Sequence, residues 1–319
     1  MKVMDVLQVQ NLNAGYMFKK KKVWAVRNVS LNVGKEDFLG IAGESGCGKT
    51  TLVMAILRLL KSPGFVESGK VIFDGVDLYQ LSKEELDRLR WKQFSYVPQS
   101  SMNSLNPVLN IRDQMMDVIL RHRSMTKQEA LQLIVDMLQL VGIPPERVKS
   151  YPHQLSGGMR QRVVIAMSLL LSPKLVIFDE PTTALDVVVQ RSIIEKIFEL
   201  QLQKRFSAIF VTHDISLLFE ITKHLAIMYA GEIVEYGPTR EVYEEPLHPY
   251  TVGLIESLPS IYGELKEYKS IPGRLPDLSQ SIAGCSFYER CRSRMDVCRL
   301  EHPGLKEVKP GRWVACHLY

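Results

Sequence analysis

Before residue 285 the sequence has a single cysteine, Cys47, which excludes a disulfide scaffold across the body of the chain. Long apolar runs are missing too. The longest, 52–60 broken by Arg58 and 163–171, fall short of the ~20 residues that cross a bilayer, so any membrane role is expected to be peripheral. The first ten residues, MKVMDVLQVQ, put Asp5 and polar side chains where a secretory signal needs an unbroken apolar core, and the chain is expected to stay in the cytosol. A strong excess of charge is also lacking. Forty Lys and Arg against 35 Asp and Glu give +5, too mild a balance to name nucleic acid or lipid as a partner. No internal repeat or low-complexity tract is present. With 46% apolar and 24% charged residues the composition is globular, and 319 residues are about twice the ~150-residue prior for one domain. Two units, or one with a large appendage, are expected.

What is present alternates between strand and helix. β-rich runs come first, at 6–12 and 23–33, with a turn at Gly34 and Lys35. FLGIA at 38–42 reads as a buried strand entering a loop, and the apolar spacing of 49–60 is helical. Further strands are expected at 71–73 and 94–97, and a charged helix at 83–90 with Ser82 as N-cap. From 111 to 140 the pattern is helical throughout, closed by Gly142 and the Pro144-Pro145 pair, which predicts a mostly helical insert. LVIF at 175–178 and AIFVT at 208–212, each followed by a helical segment, give the rhythm of a parallel sheet covered on both faces. After about Pro246 the periodicity decays. The basic run 19–22 reads as a solvated hairpin tip.

The strongest chemical signal is GESGCGKT at 43–50, the phosphate-binding loop pattern G-x-x-x-x-G-K-[ST] set between an apolar strand and a helix. Glycines let the backbone curl so that successive N–H groups point inward at phosphate oxygens, and the following helix offers the positive end of its dipole. The nucleotide-binding residues expected here are Gly43, Ser45, Gly46, Cys47, Gly48, Lys49, Thr50 and Thr51. Lys49 would meet the β- and γ-phosphates, and the Thr50 hydroxyl would ligate Mg2+. LVIFDE at 175–180 supplies the carboxylates. Its apolar residues bury a strand and project Asp179 from the C-terminal end, where open α/β sheets bind ligands. Asp179 suits the Mg2+ shell, and Glu180 beside it would polarise an attacking water.

LSGGMRQR at 155–162 reads on its own as a helix start with Ser156 as N-cap before the helical run 160–171. With the other two motifs in the same order, the sequence resembles the ATP-binding cassette family, whose signature is LSGGQ followed by a helix; the resemblance covers roughly 6–257. It implies an α/β fold of the P-loop nucleoside-triphosphatase class, with a mixed sheet core, a β subdomain and a helical insert at about 105–165. It also implies that Tyr16, or else Phe18, stacks on adenine. By the same resemblance Gln99, in SYVPQSS, touches Mg2+ or the attacking water and links the site to a membrane partner. Asp186 in TTALD closes the loop after Glu180, and His213 in FVTHD contacts the γ-phosphate, which makes Glu180 and His213 the expected catalytic pair. Thr50, Gln99 and Asp179 would form the Mg2+ shell. Two cassettes of this family pair head to tail, so Ser156, Gly157 and Gly158 of one would reach the ATP held by the phosphate loop of the other. Met159 stands where the signature has Gln, and Gln161 is the candidate to replace that contact with ribose.

The stretch from Lys49 to Ser156 is too short for the long coiled coil of the DNA-repair members, and one set of motifs argues against the two-cassette translation factors. LSGGMRQR, HPYT at 248–251 and IPGRLPDL at 271–278 resemble the ATPase subunit of oligopeptide and dipeptide importers. That resemblance implies a second cassette subunit, sibling or self, two transmembrane permease subunits and an extracellular or periplasmic substrate-binding protein, with no nucleic acid. The chain would sit peripherally on the cytoplasmic face of the membrane. A soluble cassette ATPase serving nucleic acid or ribosomes is the alternative, and nickel or oligosaccharides are alternative cargoes. Domains are expected at 1–245, the ATPase, and 246–319, an importer-type extension. Cys285, Cys291, Cys298 and Cys316 crowd into that extension with gaps of five, six and seventeen residues, which leaves metal, free thiols and disulfides open. GCSFYERC at 284–291 and WVAC at 313–316 resemble the C-terminal segment of the peptide-importer ATPases, some of which hold a 4Fe-4S cluster; Zn2+ is the alternative. Arg290, Arg292, Arg294 and Arg299 would offset thiolate charge there or face solvent.

Overall fold

The computed structural model describes residues 5–19, 21–99, 103–182, 185–258, 271–280 and 282–319. The elements begin with β1 (Asp5–Phe18), β2 (Lys21–Gly34), β3 (Phe38–Ala42), α1 (Lys49–Ile56), β4 (Gly64–Phe73) and β5 (Val76–Asp77). There follow α2 (Lys83–Leu89), β6 (Phe94–Val97), α3 (Ile111–His122), α4 (Lys127–Leu140), α5 (Gly157–Leu169), β7 (Leu175–Asp179), α6 (Val187–Lys204) and β8 (Ser207–Thr212). The last stretch holds α7 (Ile215–Ile221), β9 (His224–Tyr229), β10 (Glu232–Pro238), α8 (Thr239–Glu244), α9 (Pro249–Glu256), α10 (Asp296–Leu300), β11 (Lys306–Lys309) and β12 (Arg312–Val314). The chain divides into two compact units, each built from discontinuous pieces.

The first unit is built mainly from Gln80–Phe210, with Gly34–Asp37. Its strands lie in the order β8-β7-β6, and β6 and β7 run parallel. Every residue of β7, LVIFD, is buried, as a strand covered on both faces requires. The 111–140 run, expected as one helical stretch, is two helices. Arg123 is extended at the end of α3, and α4 restarts under a capping box in which Thr126 Oγ1 accepts the Glu129 N–H at 3.2 Å and Glu129 Oε2 accepts the Thr126 N–H at 2.8 Å. Ser82 and Glu85 start α2 in the same way, as the Ser82 cap anticipated. Apolar periodicity runs through the break because both helices bury the same kind of face; the T-x-x-E signal at 126–129 marks it.

The second unit comprises Leu7–Val33, Phe38–Tyr79 and Val211–Tyr319. It contains a four-stranded sheet ordered β2-β1-β4-β5, with β1/β4 and β4/β5 antiparallel. Beside it in sequence, β3 pairs parallel with β9, and β10, β12 and β11 extend that sheet antiparallel. The segment after Pro246 thus contributes strands where sequence periodicity shows none, because KEVK and RWV are too short for alternation to be read. An ion pair fixes this edge: Arg312 Nη2 lies 2.7 Å from Glu235 Oε1, with the two side chains 1% and 0% exposed. Glu235 also accepts the N–H groups of Leu247 and His248, each at 2.9 Å. Burial pushes its carboxyl up, against the pull of those N–H groups and of Arg312.

Arg312→Met, which leaves that carboxyl without its counter-charge, is expected to cost about 3–5 kcal/mol of stability at pH 8. Without the guanidinium the folded-state pKa of Glu235 stands further above its unfolded value. Stability carried by such a group is present at low pH and lost as pH rises, so the deficit shrinks toward pH 5. Denaturant unfolding at both pH values checks it.

Candidate functional site

In the second unit, fully buried β3 ends at Ala42 and delivers the chain into the phosphate loop. Gly48 is the N-cap of α1 at φ 107, and a Cβ there would run into the carbonyl of Ala25. No side chain caps α1, which suits a helix end whose N–H groups face an anion. Lys49 is 4% exposed, and its ammonium donates to Gly43 O at 2.7 Å and Glu44 O at 3.0 Å. The Cys47 thiol is fully buried and pushed up by burial, so only its backbone is available to a ligand; its N–H donates to Glu44 O at 3.2 Å. Tyr16 holds its hydroxyl 3.2 Å from Thr51 Oγ1, with its ring tilted 32° against Phe18. His213 is exposed directly after β8. The basic tip agrees with a hairpin, and Lys22 pairs with Glu67 at 2.8 Å; Lys20 lies outside the described residues.

In the first unit the parallel register Val97↔Phe178 brings the ends of β6 and β7 out side by side. Gln99 and the acidic pair therefore emerge together. Gln99 Nε2 donates to Glu180 Oε2 at 3.0 Å, and the Tyr96 hydroxyl donates to Asp179 Oδ2 at 3.0 Å. Asp179 is fully buried, and burial together with its charge raises the Tyr96 phenol, so that proton stays on the phenol oxygen. Glu180 sits at φ 46, a left-handed conformation whose strain proteins retain where a side chain must be aimed. A buried carboxylate and an amide oxygen are the hard donors that Mg2+ takes, so the donor chemistry at this strand end fits. Tyr96 went unnoticed in the sequence, where it is simply one aromatic in a β-run.

Ser156 is exposed and caps α5, its Oγ accepting the Met159 N–H at 3.3 Å. A Cβ on Gly158 would lie 2.8 Å from Val189 Cγ1 of α6, so packing against α6 favours glycine there. Asp186 caps α6 by accepting the Val189 N–H at 3.0 Å, and Val187 and Val188 beside it are each 79% exposed. Gln161 corrects the expectation placed on it. It is 2% exposed on the inner face of α5, so its side chain is not presented to the ribose of a neighbouring copy. Thr183 and Ala184 of the TTALD run, and Ser100 and Ser101 after Gln99, lie outside the described residues.

All five cysteines are free. Cys285 donates its N–H to Cys298 O at 2.8 Å. Burial pushes the Cys285 thiol up to about 11, with Cys298, Cys316 and Cys291 adding to the rise, and burial raises Cys291 and Cys316 as well. Among the described residues, however, no three His, Cys, Asp or Glu side chains are gathered so as to hold a metal ion. The expected iron–sulfur or zinc site on Cys285, Cys291, Cys298 and Cys316 is therefore without support. Arg290 departs from expectation too: it is buried and paired with Glu44 of the phosphate loop at 2.9 Å, neither in solvent nor committed to the thiols.

Residues 26–183 match the family described as ABC transporter, and residues 234–298 match that described as Oligopeptide/dipeptide transporter, C-terminal region. The chain is 42% identical over 316 residues to the Dipeptide transport ATP-binding protein DppD of Bacillus subtilis (strain 168), covering 98% of this chain and 94% of that one. It is 40% identical over 313 residues to the Oligopeptide transport ATP-binding protein OppD of Escherichia coli (strain K12), covering 98% and 92%. This chain belongs to the ATP-binding cassette family. The cassette also matches a solved dimeric structure of the ATP-binding cassette MJ0796 in a post-hydrolysis state bound to ADP and Pi, with a TM-score of 0.66, 27% identity, and coverage of 73% of this chain and 99% of that one. No helix of the described residues is long and apolar enough to cross a membrane.

Proposed function

We propose that this cassette is the ATP-hydrolysing subunit of an importer that carries dipeptides or oligopeptides across the cytoplasmic membrane. The observation that carries the reading is the pairing of an intact phosphate loop and acidic strand end with a C-terminal stretch, residues 234–298, of oligopeptide/dipeptide transporter type. Lys49 and the loop N–H groups take the phosphates, Tyr16 the adenine, and Thr50, Gln99 and Asp179 the cation. Mg2+ bound with ATP would offset the phosphate charge. Glu180, aimed by its left-handed backbone and steadied by Gln99, orients and deprotonates water; His213 assists at the γ-phosphate. Ser156, Gly157 and Gly158 serve the ATP of the neighbouring subunit, which the exposed position of Ser156 and of Val187 and Val188 supports.

Permease contact is assigned to the helical insert, at 105–165, and to the Gln99 region. Val108 is 75% and Leu109 42% exposed just before α3, an apolar spot suited to a membrane subunit. The four C-terminal thiols are proposed to hold a 4Fe-4S cluster; the reading rests on their clustering, free of disulfides, at the end of a C-terminal stretch of oligopeptide/dipeptide transporter type. One preparation tests both assignments. The tagged chain, extracted anaerobically in mild detergent, is expected to bring down two integral membrane subunits and a second cassette subunit, with iron and acid-labile sulfide in the sample. Stimulation by RNA or ribosomes without membrane subunits would overturn the importer reading, and colourless iron-free protein the cluster.

A further inference from the structure

We propose that Arg290, borne by the cysteine-containing segment, is a positioning residue for the phosphate loop, holding Glu44 so that the loop keeps its phosphate-binding form. The proposal rests on the ATP-hydrolysing reading above. Arg290 Nη1 donates to Glu44 Oε2 and Nη2 to Glu44 Oε1, both at 2.9 Å, while Nε donates to Pro272 O at 2.7 Å. The two side chains are 6% and 28% exposed. This is a forked, charge-assisted pair, and a lysine ammonium could not reproduce its geometry. The guanidinium lies 5.7 Å from the Tyr229 ring centre and 5.9 Å from that of Phe287.

The backbone of Glu44 is held from the same side. Its N–H donates to Tyr250 Oη at 2.9 Å, and Tyr250 packs against Tyr229 and Phe287 with ring centres 4.6 and 5.4 Å away. The parallel register Ala42↔Ile227 brings Gly43 and Glu44 out of β3 where Tyr229 ends β9, which is why one aromatic cluster serves both. Toward the loop interior, the Glu44 carbonyl accepts from Lys49 Nζ at 3.0 Å and from the Cys47 N–H at 3.2 Å. The orientation of that one residue therefore sets the Lys49 ammonium and a loop amide, and the C-terminal segment sets the orientation. Charge works in the same sense. A bare Glu44 carboxylate at the loop would repel a triphosphate, and Arg290 offsets it.

The test uses the full chain, with MgATP as the probe, in Arg290→Ala, Glu44→Gln and the double variant. Arg290→Ala is expected to raise the KM and Kd for MgATP about tenfold with kcat within about twofold of wild type. In the Glu44→Gln background the same change is expected to add less than about twofold, because the carboxylate it restrained is gone. An equal effect in both backgrounds, or an unchanged KM in Arg290→Ala, overturns the proposal. Should Arg290→Ala fail to fold, Arg290→Lys keeps the charge and loses the fork. It must then raise KM at least about threefold, and wild-type KM in that variant overturns the proposal. A wild-type chain that binds no MgATP sinks the underlying ATPase reading instead, so the two failures are distinguishable.

Discussion

Glu180→Gln is expected to leave MgATP binding within about twofold of wild type while cutting turnover by about 100-fold to 1,000-fold or more, the range that loss of a general base commands. The amide is isosteric with the carboxylate and still offers an oxygen to Gln99 Nε2, now 3.0 Å from Glu180 Oε2. The left-handed backbone at φ 46 depends on the surrounding loop and strand end and stays as it is. Only the ability to take a proton from water is lost. Nucleotide titration and single-turnover hydrolysis separate the two effects, and size-exclusion chromatography with ATP should show paired subunits accumulating because their ATP persists. Undiminished hydrolysis would remove Glu180 from its assigned role.

Sequence made the phosphate loop and the acidic strand end legible because each is contiguous and carries its own context: an apolar strand, glycines or carboxylates, then a helix. The signature was legible only by resemblance, since Ser156 on its own is one more helix cap. What escaped detection is contact between distant pieces. Arg290 meets Glu44 across 246 positions, and Arg312 meets Glu235 across 77, so no local pattern announces either pair. In the free sequence, Arg290 was one of four arginines among the cysteines, and only the fold distinguishes it. Gln161 is a different case, because its burial was readable. It lies one helical turn before Val164 and Ile165, both buried, so the 3.6-residue period already places it on the inner face of α5. Resemblance drew attention to its amide and away from that period. The four cysteines show the opposite limit, in that their crowding in sequence implied a shared ligand more strongly than their placement in space does.

Ser156→Glu tests the claim that the ATP site is completed by a second subunit. Ser156 is exposed at the start of α5, and its hydroxyl already caps that helix, so replacing it costs about 1 kcal/mol of local stability and leaves the fold intact. The next turn cannot give way easily, because Gly158 sits against Val189 of α6 with no room for a Cβ. A carboxylate at the exposed cap would therefore project outward, into the space a partner's γ-phosphate must occupy, and repel it. The lone chain is expected to bind MgATP within about twofold of wild type, since its own phosphate loop is untouched. Hydrolysis by the assembled transporter is expected to fall about 100-fold to 1,000-fold, as when a preorganised donor to a developing charge is removed. Parallel titration of the lone chain and turnover of the complex decide the matter. If binding to the lone chain falls in step with turnover, Ser156 acts within its own subunit and the shared site is rejected; if only turnover falls, the donor is supplied from the neighbour.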